Sequence, residues 1–409
     1  MLILGGSAQR LLKAPGLVPL WIAGGAANAM LWLEVLAAAL FTLQVTRSGF
    51  DVALVSAARS LPLLVTGAFM GVISDATNRK RIVVGGLVVS AASAGTVGML
   101  AAIGVLRPWQ IGIAALISGL VYATEMPARR RMVAESAGPA LALRAVAVDS
   151  MMSYATRCAG PLLGGLAYQY FGLAGAFLLS ACLNIGMAIL VARIHYRQDL
   201  LRRLSLLGAL QDLRDGLAFA VRRHTLVLLL GVTILTNLFG YSYSTLLTPI
   251  GKLVLDLSPF MIGVLAAAEP AGSLLAGIFV AVRPLPGHPL RWLAGGATLL
   301  FSVLIAAAIV GRMPHALVPM LVLFALGGVG SAVYNIHQTT IVMTETPPAF
   351  RSRVMGLVTV CIGSWPIGMI AAGALIDPLG LMGALAALGI GGLAGMAVLA
   401  GYARSQRHR

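Results

Sequence analysis

Charge is what this sequence has least of. Only 10% of its 409 residues are Asp, Glu, Lys or Arg, against 59% hydrophobic, and Asp plus Glu number 13. A water-soluble domain carries about 25% charged residues, so that class is excluded. Cysteine is scarce as well: Cys158, Cys182 and Cys361 sit in apolar runs without paired spacing, which argues against a disulfide framework or a zinc site. The six histidines are dispersed, and H-E-x-x-H, G-x-S-x-G and Walker sequences are missing. Metal, serine-nucleophile and nucleotide chemistry all lose their usual residues, so neither an enzyme nor a cofactor is expected.

What is present is apolar length. Mean hydropathy is +0.93, with 48 glycines and 19 prolines. Both residues are tolerated in membrane helices, where neighbours satisfy freed backbone groups and small side chains permit close approach. A spanning helix takes about 20 apolar residues, and twelve of them would leave roughly 34 residues each with its connection. Apolar runs between charges and Pro/Gly punctuation predict spans near 17–46, 51–76, 82–105, 109–133, 141–168 and 173–195, then 224–252, 257–282, 290–311, 314–344, 352–377 and 379–402. The expectation is an all-α polytopic membrane protein: a six-helix bundle over 1–195, a linker over 196–223 and a second six-helix bundle over 224–409. Within the linker, Leu206, Leu210, Leu213, Leu217 and Ala220 recur at helical spacing against Asp212, Asp215 and Arg222, the pattern of an amphipathic helix on a membrane surface.

The net charge of +16 raises nucleic-acid binding, but the placement of the cations opposes it. With the N-terminus inside, one face keeps only Arg47, Arg107, Lys252 and Arg312 of the 29 Lys and Arg residues, and Arg59 and Arg157 fall within spans. The remainder lie on the other face, which the positive-inside rule makes cytoplasmic together with both termini. The lipid bilayer, not nucleic acid, is thus the expected partner of the basic residues. Arg10 and Lys13 precede an apolar run to Val45 that is too long for a signal-peptide core, so it reads as a retained first helix.

A weak internal repeat is legible. Ser48, Phe50, Ala57, Ala58 and Gly67 align at one shift with Ser258, Phe260, Ala267, Ala268 and Gly277, and in that register Arg59 corresponds to Glu269. Two parallel repeats are the plan of an alternating-access transporter with a midplane site.

Between the second and third spans stands Gly71-Val-Ile-Ser-Asp75-Ala-Thr-Asn-Arg79-Lys80-Arg81. This resembles the loop signature of the major facilitator superfamily, with Ala76 where that family usually has Arg and Asn78 where it usually has Gly. The resemblance implies a gate in which Asp75 and the basic cluster meet the start of the eleventh span, after Pro347-Pro348. An ordinary charged turn is the competing reading. The fifth span contains Gly160-Pro161-Leu-Leu-Gly164-Gly165, similar to the superfamily's exporter motif, with a possible matching small face in Gly272, Ala276 and Gly277. Met126-Pro127-Ala128-Arg129, Leu213-Arg214-Asp215-Gly216 and Arg351-Ser-Arg353-Val-Met-Gly356 add, in order and spacing, a resemblance to the branch of enterobactin exporters and macrolide efflux pumps.

Ionisable groups in hydrocarbon cost about 2.5–3.5 kcal/mol each, so each needs a partner or a task. Glu34 and Arg59 flank the first hairpin at similar depth and are expected to pair; Arg157 and Glu269 are expected to pair across the two bundles. Asp149 has no evident cation on another span. Glu34, Asp149 and Glu269 are therefore candidate proton-coupling groups, with Arg59 and Arg157 as charge partners. Thr233, Asn237, Tyr241, Ser244 and Thr248 form one polar stripe. In the superfamily the seventh and tenth helices line the cavity, so Asn237, Tyr241, Ser244, Asn335, His337 and Gln338 become candidate substrate contacts. The functional expectation is a monomeric, proton-coupled antiporter in a bacterial inner membrane, exporting a small amphipathic compound such as a drug or siderophore. Import of a metabolite, or a non-transporting sensor of the same fold, are the alternatives.

Overall fold

In the computed structural model, residues 11–196, 198, 206–283 and 285–407 are described, and the side chains of 65–76, 206, 207, 209, 210, 406 and 407 are not. The described chain is helical from end to end. In order it forms α1 (Leu17–Thr46), α2 (Gly49–Ala76), α3 (Arg79–Ala102), α4 (Pro108–Ala137), α5 (Ala142–Ala192) and the amphipathic α6 (Leu206–Ala220). Then follow α7 (His224–Val254), α8 (Pro259–Val282), α9 (Pro289–Val310), α10 (Leu317–Glu345), α11 (Pro348–Ala374) and α12 (Ile376–Arg407). Ten of the helices are long and apolar enough to cross a membrane.

α5 is 51 residues long, which would extend about 75 Å if straight, far beyond a hydrocarbon core of about 30 Å. It folds back at Gly172, whose φ of 63° and ψ of −170° belong to a region only glycine occupies without strain. α12 turns in the same way at Gly380 (φ 70°, ψ 171°). Phe171-Gly172-Leu173 and Leu379-Gly380-Leu381 are the same turn in the two repeats. The repeat also shows in the caps: Ser48 accepts from the Asp51 amide at 3.2 Å to start α2, and Ser258 from the Met261 amide at 3.4 Å to start α8.

The four larger buried apolar clusters divide by sequence, and a small fifth joins Leu36 and Leu40 of α1 to Ile262 of α8. One pair draws only on residues up to Ile194, and another only on residues from Ala220 onward. We refer to α1–α5 and α7–α12 as the two helix sets. They meet most closely at the end bearing Gly172 and Gly380, hereafter the far end. A Cβ on Gly165 would strike the backbone of Pro259 and Phe260; one on Gly373 would strike Phe50 and Ala53. These two contacts are repeat mates, so the junction has an approximate two-fold relation.

At the opposite end, the linker end, α6 docks on the start of α11. Arg353 pairs with Asp212 at 2.8 Å and Asp215 at 3.6 Å, Gly216 gives Arg353 room to approach, and Phe219 stacks on Phe350 at 4.5 Å. The two segments singled out separately by sequence, 213–216 and 351–356, are thus one interface. The basic cluster does not reach α11 through its described side chains: Arg79 binds Glu135 and Tyr196, and Lys80 donates to the carbonyls of Ala192 (2.7 Å) and Ile194 (2.8 Å). The expected latch on α11, a contact of the outward-facing state, is not made by these side chains in the present arrangement. Unsatisfied carbonyls at the end of α5 are the stronger attraction for an ammonium group. Burial pushes the Tyr196 phenol up to about 12, so it remains the hydrogen donor to Glu135 at neutral pH. The side chain of Asp75 lies outside the described residues.

No atom would touch a Cβ at Gly172, Gly380 or Gly186, so substitution there isolates the backbone effect. Gly172→Ala and Gly380→Ala should each cost about 1–3 kcal/mol in thermal unfolding of the purified protein, whereas Gly186→Ala, within a regular helix, should be neutral or stabilising.

Candidate functional site

α7 is irregular where it passes the centre of the protein. After regular turns over His224–Leu235 it widens to a π-helix at Thr236–Gly240, tightens to a 3-10 helix at Tyr241–Leu246, and widens again at Ile250–Val254. Pro249 has no amide hydrogen to return to the preceding turn, and such mixed turns frequently mark functional positions. The result turns Tyr241, Tyr243, Ser244, Thr245 and Thr248 into a cavity of about 180 Å³ between the helix sets. α1, α2, α4 and α5 supply one wall; α7, α8 and α11 supply the other. Most of the lining is aliphatic or aromatic, including Trp32, Tyr122 and Trp365, and its charged residues are Arg59, Arg157 and Glu269.

Arg157 of α5 and Glu269 of α8 form a 3.2 Å ion pair across the sets. Glu269 is 3% exposed and Arg157 28%. The pair is well buttressed, because Ser273 donates to Glu269 at 3.1 Å and the guanidinium lies over the Trp32 ring at 5.4 Å. Desolvation of the carboxylate is thereby offset by two polar partners.

The polar stripe of α7 divides. Tyr241, Ser244 and Thr248 face the cavity, whereas Thr233 and Asn237 turn toward neighbouring backbone and α10. Gln338 donates to Thr233 at 2.9 Å and to Tyr334 at 2.6 Å; Asn237 donates to the Thr233 carbonyl at 2.9 Å. His337 bonds the Val333 carbonyl at 2.8 Å and stacks on Trp292. Asn237, His337 and Gln338 therefore hold helices together and are not in this lining. Asn335 reaches it only indirectly, by donating to the Tyr241 hydroxyl at 2.8 Å. A regular helix would have kept the stripe on one face; the π and 3-10 turns rotate its two halves apart.

Glu34 and Arg59 do not form the expected ion pair. Glu34 accepts from Ser180 at 2.5 Å, and Arg59 donates to Ser118 at 3.3 Å. A narrow passage of about 30 Å³ lies between α1, α2, α3, α4 and α5 and is lined by both residues. Equal depth does not make two side chains neighbours when Ser180, more than a hundred residues later, is already beside the carboxylate.

Asp149 has the cation that sequence reading did not find. It is 2% exposed and bound by Arg129, with Arg130 at 3.7 Å, so its partners come from α4. Arg129 also pairs with Glu125 at 2.9 Å. Arg129 is expected on the cytoplasmic face at the end of a fourth span reaching about residue 133; α4 runs on to Ala137 and carries Arg129 inside. The i,i+4 spacing of Glu125 and Arg129 was the available signal. Gly24 of α1 makes room for the guanidinium. Glu125, Arg129, Glu34, Asn28 and Asn184 line a further, small chamber of about 30 Å³ inside the first helix set.

The small residues of α5 serve two partners. Gly160 and Gly164 pack on Ala29, Trp32 and Leu33 of α1, while Gly165 packs on α8 and the carbonyl of Pro161 faces Gly263. The expected matching face of α8 is corrected: Gly272 packs on Ala325 of α10 and Gly277 touches nothing.

Residues 12–406 match the family described as transmembrane secretion effector. Among characterised proteins, the chain is 27% identical over 377 residues to the multidrug efflux pump Tap of Mycolicibacterium fortuitum, covering 88% of each chain. It is 26% identical over 364 residues to an uncharacterised major-facilitator-type transporter, YfiS, of Bacillus subtilis (strain 168), covering 86% of this chain and 84% of that one. A bacterial homologue of the human lysosomal transporter Spinster, inward-facing and occupied, has the same fold with a TM-score of 0.74 at 14% identity, over 95% and 96% of the two chains. A POT family transporter in complex with 5-aminolevulinic acid superimposes at 0.73 and 13% identity, over 96% of each chain. With the family match running almost from end to end, the chain belongs to the transmembrane secretion effectors, a multi-pass transporter family of the major facilitator superfamily.

Proposed function

We propose that the protein is a secondary active exporter that expels a small amphipathic organic compound, such as a drug or siderophore, in exchange for protons. The observation that carries this reading is the cavity of about 180 Å³, mostly apolar with a few convergent polar groups, whose walls come from both helix sets. Rocking of one set against the other would expose it to each side in turn. Similarity to Tap supports the direction and the substrate class. Twelve crossings follow if the two arms of α5 and α2 are counted with the other apolar helices. Placing the linker end in the cytoplasm of a bacterial inner membrane satisfies the cation asymmetry. In that orientation the far-end junction at Gly165 and Gly373 is the shut outer gate, and Gly160, Pro161 and Gly164 let α5 slide against α1. Gly71 and Asp75, with Arg79, Lys80 and Arg81 anchoring the loop, would act at the inner gate. A single chain contains the whole cavity, so the transporter works as a monomer.

Coupling falls to Glu34. It borders both the chamber and the passage that leads to Arg59, whereas Asp149 is clamped by two arginines and borders none of the three cavities. A carboxylate that exchanges a proton beside a movable guanidinium shifts the balance between access states. Inverted membrane vesicles should accumulate a fluorescent amphipathic dye and release it on adding a protonophore. Glu34→Gln should abolish the gradient-driven part while dye binding persists; undiminished active uptake by that variant would move the role elsewhere.

Glu269 is the second titratable group of the cavity, and its pair with Arg157 ties the sets together. Glu269→Gln alone leaves a guanidinium partly uncompensated and should cost on the order of 2–3 kcal/mol, below the range for wholly buried pairs because Arg157 keeps some solvent. Adding Arg157→Gln should recover part of that loss, measured as a double-mutant cycle on unfolding midpoints. Strictly additive losses would show the pair to be energetically idle.

A further inference from the structure

The chamber inside the first helix set is separate from the substrate cavity and opposite to it in sign. Its charged wall residues are Glu34, Glu125 and Arg129, two carboxylates to one guanidinium, against Arg59, Arg157 and Glu269 around the larger cavity. Arg129 is already taken by Glu125 and Asp149. Two buried asparagines add to the chamber, Asn28 at 8% and Asn184 at 4% exposure. Asn28 donates through Nδ2 to the Ser153 carbonyl (3.1 Å) and Thr156 (2.7 Å), and Asn184 through Nδ2 to the Ser180 carbonyl (3.0 Å). A carbonyl only accepts, so these bonds fix both amides with Oδ1 as the remaining acceptor. Among the described residues no donor reaches either Oδ1. Ser90, Ser118 and Tyr122 contribute further oxygens to the same wall.

An enclosure of carboxylates, unclaimed amide oxygens and hydroxyls, with net negative charge, suits a hard monovalent cation and disfavours an apolar solute. The geometry points to a coupling-cation site in this chamber, formed by Glu34, Glu125, Asn28 and Asn184, which receives Na⁺ or a proton while the substrate occupies the larger cavity. The inference rests on the coupling role proposed for Glu34 and extends it to Glu125, which no sequence motif indicated. It also gives a route for coupling. Glu34 borders the chamber and the passage, and Arg59 borders the passage and the substrate cavity, so a cation arriving beside Glu34 alters the field on Arg59 without meeting the substrate. The charged and titratable groups around the site are Arg59 from α2; Tyr122, Arg129 and Arg130 from α4; and Asp149 from α5.

The test uses the purified full chain in lipid nanodiscs, with NaCl exchanged against choline chloride at constant ionic strength, and a sodium-free pH titration followed by the infrared carbonyl band of protonated carboxyls. If the site takes Na⁺, sodium but not choline raises the unfolding midpoint. Asn184→Leu should then raise the half-saturating sodium concentration roughly tenfold or more, and Asn184→Asp should lower it. If it takes a proton, sodium has no specific effect, and Glu34→Gln and Glu125→Gln each remove part of the protonated-carboxyl band. Because Glu125→Gln also loosens Arg129, the two Asn184 variants and Asn28→Leu carry the test should it fail to fold; in the proton case they shift the midpoint of the band. Sodium and proton responses that all of these variants leave unchanged would overturn the site. Absence of any gradient-driven dye movement by the unaltered protein is a different failure: it removes the exporter reading and leaves the cation measurements standing.

Discussion

Every ionised group placed in hydrocarbon must find its compensation inside the protein, and that requirement organises this structure. The penalty of several kcal/mol per uncompensated charge exceeds what one helix–helix contact returns, so the helices are arranged around the pairs. Arg129 shows this within one helix set: two carboxylates from α4 and α5 converge on it, and α1 carries a glycine where the guanidinium passes. Arg157 and Glu269 show it between sets, where, among the described residues, one ion pair crosses the boundary between them.

The remaining scarcity of charge then becomes informative. Polar exceptions to the apolar interior include a cavity between sets and a chamber within the first set, and the passage shares Glu34 with the chamber and Arg59 with the cavity. In the proposed mechanism, substrate and coupling cation have opposite needs. One wants an adaptable, largely apolar volume open to both sides by turns; the other wants fixed oxygens in a confined space. Separate cavities bridged by one guanidinium reconcile the two, since an electrostatic effect over a few ångströms is transmitted without shared contacts.

Small residues supply the mechanical counterpart. Gly165 against α8 and Gly373 against α2 bring backbones together at the far end in repeat-related positions. Backbone-to-backbone contact of this kind has little side-chain interlock to undo. At the linker end the contact is of another type, with aspartates and a phenylalanine of α6 gripping Arg353 and Phe350, which holds the start of α11 by polar and stacking interactions at a wet surface.

Sequence alone determined the membrane class, the repeat, the cation asymmetry and the family resemblance, because these are written in composition and spacing along the chain. It also placed Arg157 and Glu269 correctly relative to one another, since opposite sign and similar depth in adjoining helices leave few other partners. Rotation about each helix axis was decided only by the tertiary structure. Depth follows from counting residues, but which side chain faces which depends on irregular turns and on third helices. That is why Glu34 met Ser180 in place of Arg59, why α7 split its polar stripe, and why Arg129, expected on the cytoplasmic face, lies buried against Asp149.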